Sequence, residues 1–190
     1  TVQPLGDLTL ESGEVLPRLE MAYDTYGQFR GDNAILVLHA LTGDSIVAGP
    51  DGWWNQVIGP GLGVDTNEFF VVAANILGGC RGSTGPASTS PDGRLWESRF
   101  PAITVRDQVR AEAMLAAELG IDRWHGVIGG SAGGMRAVEW AIMFGEKVDP
   151  CSIFRLVAPS VREDLTDHLY FHEGEEALRH LLEVASGMNS

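Results

Sequence analysis

Ser131 stands in the run Gly129-Gly130-Ser131-Ala132-Gly133-Gly134, which reads G-x-S-x-G. A serine hydroxyl becomes a useful nucleophile when it is exposed on a sharp turn, beside a base and near amides that hold a developing oxyanion. The glycines suit such a turn. The serine must take a strained backbone conformation, and side chains at the flanking positions would collide with neighbouring elements. A helix beginning at Ala132 would direct its dipole and unpaired amides at the hydroxyl, the amide of Ala132 first among them. The spacing therefore points to acyl transfer through a serine ester. A glycine-rich turn or a phosphate-binding loop is the alternative that the motif alone leaves open.

The chemistry needs a strand before Ser131 and a helix after it, and the pattern supplies both. Residues 124–129 read as a short strand, and residues 132–144 as a helix rich in Ala, Met, Val and Trp. Upstream, residues 8–10 and 19–26 suggest an antiparallel edge hairpin, with the turn at Glu11-Ser12-Gly13-Glu14. Ala34-Ile35-Leu36-Val37-Leu38 and residues 69–74 are continuous apolar runs, the signature of strands buried on both faces. Residues 53–58 are expected to form a short helix closed by Gly59-Pro60-Gly61, and 75–101 a long loop. Residues 104–119 predict a helix with Val105, Val109, Ala113, Leu115, Ala116 and Leu119 inward and Gly120 as its stop. A strand over 153–157 and a helix over 173–185, with Ala177, Leu178, Leu181 and Leu182 inward, complete the series. Strands alternating with helices predict an α/β fold: a mostly parallel sheet with helices on both faces, in one domain over residues 1–190.

Composition narrows the partners. Thirteen Lys and Arg against 26 Asp and Glu give a net charge of −13, which argues against nucleic acid or an anionic membrane surface. Cys80 and Cys151 form no C-x-x-C pair, so free thiols in reducing surroundings are expected and no metal site is. The first residues lack a signal-peptide pattern, and no apolar run approaches the ~20 residues that span a bilayer. A soluble, cytoplasmic protein is the expectation.

A strand, a serine turn and a helix in this order form the nucleophile elbow of the α/β-hydrolase fold, where a second oxyanion donor comes from the loop after an early strand. Here that loop is His39-Ala40-Leu41-Thr42-Gly43-Asp44, with the amide of Leu41 as candidate donor and Thr42 next to it. His39 reads as a hydrogen-bonded core histidine at a strand end rather than a reacting group.

Several stretches are shared in order with one family. They are His39-Ala40-Leu41-Thr42-Gly43-Asp44, Gly52-Trp53-Trp54, Ile58-Gly59-Pro60-Gly61 and Asp65-Thr66. The run Asn75-Ile76-Leu77-Gly78-Gly79-Cys80-Arg81-Gly82-Ser83-Thr84-Gly85-Pro86 follows, then Phe100-Pro101 and Ile103-Thr104-Val105-Arg106-Asp107. The series ends with the serine motif, Met135 and Glu139-Trp140. Over residues 5–148 the chain resembles the homoserine O-acetyltransferases, with Ala132 where that family carries a larger residue. The resemblance implies that Ser131 takes acetyl from acetyl-CoA and gives it to the homoserine hydroxyl, in methionine biosynthesis and without a cofactor. It also implies that the 75–86 loop shapes the pocket. Relatives that use serine as acceptor or succinyl-CoA as donor share these motifs, and a non-catalytic remnant of the fold is the reading from another class.

The resemblance places the acidic member of the triad at Asp167, within Thr166-Asp167-His168-Leu169-Tyr170, with Asp164 or a solvated acidic loop as alternatives. The family's His-Gly-His-Asp-Gly loop has no counterpart, and His168, His172 and His180 are the only histidines after Ser131. The helical lid that carries much of the family's dimer contact is not recognisable either. The expectation is thus a truncated, internally deleted or incompletely represented enzyme that acetylates Ser131 slowly. Apolar surface is expected at Met135, Trp140 and Phe154, the last in the strand nearest the missing part.

Overall fold

The structure, a computed structural model, describes residues 1–148 and the backbone of residues 153–156. Its order is β1 (Val2–Thr9), β2 (Val15–Tyr26), β3 (Ala34–Leu38), β4 (Ile58–Gly59), β5 (Val64–Asp65), β6 (Phe70–Ala74), α1 (Val105–Glu118), β7 (Gly126–Gly130), α2 (Ala132–Phe144) and β8 (Ile153–Leu156). Six strands form one sheet in the order β1-β2-β6-β3-β7-β8. The hairpin pair and its junction with β6 are antiparallel, whereas β6, β3, β7 and β8 run parallel.

The continuous apolar runs are explained by burial on both faces. Ala34, Leu36 and Leu38 face the helices with Val109, Ala137 and Trp140, while Ile35 and Val37 face Val47, Ile58 and Val64. Both described helices pack on the first face. The second is covered, within the described residues, by turns and by the two-residue strands β4 and β5. The helix expected over 53–58 is absent. Six residues bounded by Gly52 and Gly59 are too few to repay helix nucleation, and the amides of Trp53 and Trp54 bond instead to the carbonyls of Ile46 and Val47.

Helix α1 begins where its cap requires. Thr104 Oγ1 accepts from the Asp107 amide (3.2 Å), and Asp107 Oδ2 accepts from the Thr104 amide (3.0 Å), a reciprocal capping box. The other oxygen of Asp107 accepts from the Glu11 amide (2.7 Å), tying the hairpin turn to the helix start. The α1 inner face also differs from the sequence expectation. Val109, Leu115 and Ala116 are buried, but so are Asp107, Ala111 and Glu112, while Val105, Ala113 and Leu119 are half-buried. The helix touches both the hairpin and α2, so its covered face is wider than one stripe. The strand before Ser131 begins at Gly126 rather than at 124; Trp124 bridges Val148 instead. The helix expected over 173–185 lies outside the described residues.

Candidate active site

Strand β3 leads to β6 on one side and β7 leads to β8 on the other, so the chain changes direction across the sheet between β3 and β7. In parallel sheets such a switch opens a crevice at the carboxyl ends of the strands. Ser131 follows β7, and the turn from His39 follows β3, with Leu38 and Gly129 paired in register. Both candidate elements therefore leave adjacent strands at the same end of the sheet.

Ser131 has φ 55° and ψ −119°, a region non-glycine residues rarely occupy. Its side chain makes no capping hydrogen bond and the residue is exposed. The flanking glycines are required by contact. A Cβ on Gly129 would lie 2.3 Å from the Gly133 carbonyl carbon and oxygen, and one on Gly133 would lie 1.9 Å from the Leu38 carbonyl oxygen. The turn thus holds the first turn of α2 directly against the end of β3. The amides of Ala132, Gly133 and Gly134 open the helix without intrahelical partners, at this end of the sheet.

The turn after β3 is braced by its own histidine. His39 is buried; its Nε2 accepts from the Ile76 amide (3.0 Å), so its proton sits on Nδ1, which donates to the Ala40 carbonyl (2.5 Å). Burial lowers its pKa, with Arg136 contributing in the same direction. His39 is a neutral structural group. Leu41 beyond it is 73 % exposed and, with Thr42 and Gly43, lines a cavity of about 450 Å³.

The opposite wall of that cavity comes from the 75–86 loop, part of which also braces the scaffold. Asn75, Ser83 and Thr84 are buried scaffold: Asn75 Oδ1 accepts from the Ser45 amide (2.8 Å), Ser83 Oγ from Ala22 (3.0 Å) and Thr84 Oγ1 from Glu20 (2.9 Å). Asn75 also lines the cavity, together with Ile76, Gly78, Gly79, Cys80, Arg81 and Pro86. Exposed Arg81 faces half-buried Asp44 at 3.9 Å, a long contact worth little energetically. Cys80 is an exposed free thiol.

Behind the turn lies a polar cluster that sequence reasoning missed. Arg136 and Glu112 are fully buried and paired through Nη1 and Oε1. Arg136 Nη2 also donates to the His39 carbonyl (2.7 Å), and Trp140 Nε1 donates to Glu112 Oε2 (2.8 Å). Burial pushes the Glu112 carboxyl up, against the pull of Arg136 and Trp140. Two charged residues on apolar helix faces were the available signal, since a buried charge demands a partner. Trp140, expected at the surface, is fully buried against Trp124 and Phe144, whereas Met135 is exposed as expected.

Neither described histidine can act on Ser131. Both ring nitrogens of His39 are engaged, and the His125 amide bonds to the Ala34 carbonyl at the far end of β3. Asp164, Asp167, His168, His172, His180, Cys151 and the Phe154 side chain lie outside the described residues. Among the described residues no group of three or more His, Cys, Asp or Glu could hold a metal ion, and no helix is long and apolar enough to cross a membrane.

The alpha/beta hydrolase fold family matches residues 33–189, most of the chain and both strands that carry the candidate turns. The chain belongs to the α/β-hydrolase fold family. Within this family it is similar to the homoserine O-acetyltransferase of Thermobifida fusca (strain YX), with 59 % identity over 150 residues, covering 74 % of this chain and 40 % of that protein. The solved homoserine O-acetyltransferase from Bacillus anthracis superposes with a TM-score of 0.74 at 36 % identity, over 78 % of this chain and 45 % of that one. Another α/β neighbour, esterase E22, gives a TM-score of 0.73 at 31 % identity, over 78 % and 45 % of the two chains. The resemblance drawn from the motifs is thus borne out at the level of family, and the chain spans less than half the length of these relatives.

Proposed function

We propose that this α/β-hydrolase-fold chain carries the nucleophile half of an acyltransferase that moves acetyl from acetyl-CoA to the hydroxyl of L-homoserine, a cytoplasmic step of methionine biosynthesis. Ser131 Oγ attacks the thioester carbonyl, the C–S bond breaks, and CoA leaves as the thiol with the serine proton. The homoserine hydroxyl then attacks the Ser131 ester and regenerates the free serine. The amides of Ala132 and Leu41 stabilise the oxyanion of both steps, and Asp167 orients the base. Small molecules are its partners. The observation that carries this reading is the strained, exposed Ser131 between two glycines that admit no side chain, at the sheet's switch point.

The test is acetyl-CoA alone, followed by mass spectrometry of the digested chain. One acetyl group is expected on the peptide holding Ser131, absent from Ser131→Ala, and discharged faster by homoserine than by serine. Acetylation that persists in Ser131→Ala overturns the proposal. His39 and His125 are engaged elsewhere, so acetylation is expected to be slow, short of the about 10²–10⁴-fold that a general base contributes; rapid acetylation would assign the base to His168, His172 or His180. The likeness to esterase E22 favours a second reading, transfer of the acyl group to water. Discharge of the acetyl-enzyme at one rate with and without homoserine would select it.

A further inference from the structure

We infer that Arg136 is a positioning residue that locks the turn after β3 to the nucleophile helix. It thereby sets where the Leu41 amide stands relative to Ser131. The inference takes its catalytic meaning from the Ser131 reading, but its geometry stands apart from it.

The guanidinium bridges three elements. From α2, Nη1 meets Glu112 on α1 while Nη2 donates to the His39 carbonyl at the base of the turn (2.7 Å). Glu112 is held in turn by Trp140 Nε1 (2.8 Å), one helical turn beyond Arg136. A buried ion pair is weak evidence for stability, because desolvation offsets most of the attraction. Here Arg136 Nε is also buried without a partner, a further cost. An apolar pair would fill the space between α1 and α2 more cheaply, but it could not reach a backbone carbonyl. The planar fork reaches the two acceptors from two separate nitrogens, whereas lysine offers a single ammonium nitrogen without that fixed geometry.

The His39 carbonyl also lies close to α2, just beyond the nearer Leu38 carbonyl. A Cβ on Gly133 would lie 2.9 Å from the His39 oxygen. Steric contact therefore limits how near the turn can come, and the Arg136 hydrogen bond limits how far it can move away. The His39 ring fixes the third direction through the Ile76 amide. Such preorganisation of an oxyanion donor costs no rearrangement during reaction.

Two variants test the inference, with exchange of individual backbone amides as the main readout. Arg136→Lys retains a charge for Glu112, and Glu112→Gln with Arg136→Met removes both charges while keeping volume. In each folded variant the Gly43 and Ile76 amides, bonded to Ala40 O and His39 Nε2, are expected to exchange about tenfold faster or more, while central β3 amides keep their protection. Faster exchange everywhere, in proportion to lost stability, would assign Arg136 a structural role only and overturn the inference. Unchanged exchange at Gly43 and Ile76 would overturn it equally. Burst acetylation by p-nitrophenyl acetate provides a separate arm. A slower burst with unchanged half-saturation is expected in both variants, and a burst that persists in Ser131→Ala refutes the serine reading while leaving the exchange result decisive.

Discussion

At the scale of single residues, the closeness of α2 to β3 makes glycine at 133 a steric requirement. Gly133→Ala would force a Cβ to within 1.9 Å of the Leu38 carbonyl oxygen, and is expected to cost about 1–3 kcal/mol or more in urea unfolding. Gly145, with open space around it and an ordinary helical φ of −57°, is the control, and Gly145→Ala should be neutral or stabilising by up to about 1 kcal/mol. The His39 ring predicts a pH dependence. Its folded pKa lies below the ordinary 6.5, so the unfolded chain binds more protons in that window. Its contribution is present above pH 6.5 and is lost as pH falls towards the lowered folded value. Unfolding measured between pH 7 and 5 should therefore show less acid loss in His39→Gln, whose amide oxygen can still accept from Ile76. An unchanged slope would assign the acid sensitivity to other groups.

At the scale of elements, the capping of α1 carries the clearest prediction. Thr104→Ala removes one cap acceptor and should cost about 1 kcal/mol. Asp107→Ala strips acceptors from the Thr104 and Glu11 amides together and should cost about 2–3 kcal/mol by thermal or urea unfolding. Equal losses in the two variants would mean that the link to the hairpin carries no energy. Elements were legible in the sequence where the pattern is local. The runs Ala34–Leu38 and Phe70–Ala74 announce doubly buried strands, and the serine with its glycines fixes a strand–helix junction. The pattern failed at 53–58, where backbone bonds to Ile46 and Val47 replace helical ones. It failed again at Trp140, which is buried against Trp124 and Phe144 and bonded to Glu112, 28 residues away. Contacts set by tertiary neighbours leave no periodic trace, and the Arg136 link to His39, across 97 residues, is of that kind.

At the scale of the whole molecule, the side of α2 away from the sheet is apolar and uncovered by any of the described residues. Met135 and Ile142 are 55 % and 64 % exposed, with Val138 between them at helical spacing. Apolar surface of this kind binds hydrophobic dyes and favours association, which the net charge of −13 only partly opposes. Val138→Lys with Ile142→Lys should lower dye fluorescence and light scattering without changing the melting midpoint by more than a few degrees. Dye binding equal to that of the parent chain would place the sticky surface elsewhere.

The sheet order also has a consequence for how the chain is made. Strand β3 lies between β6 and β7, and β7 is the last of the three to be synthesised. The most apolar strand must therefore leave the ribosome with one flank unpaired. About ninety residues separate β3 from β7, and at roughly 5–20 residues per second that flank stays open for roughly 5–20 s. Ala34–Leu38 has no charge and no proline to interrupt templated pairing with another nascent chain. Shielding during those seconds is a task for the cell's chaperones, and translation speed across residues 39–125 becomes a determinant of yield.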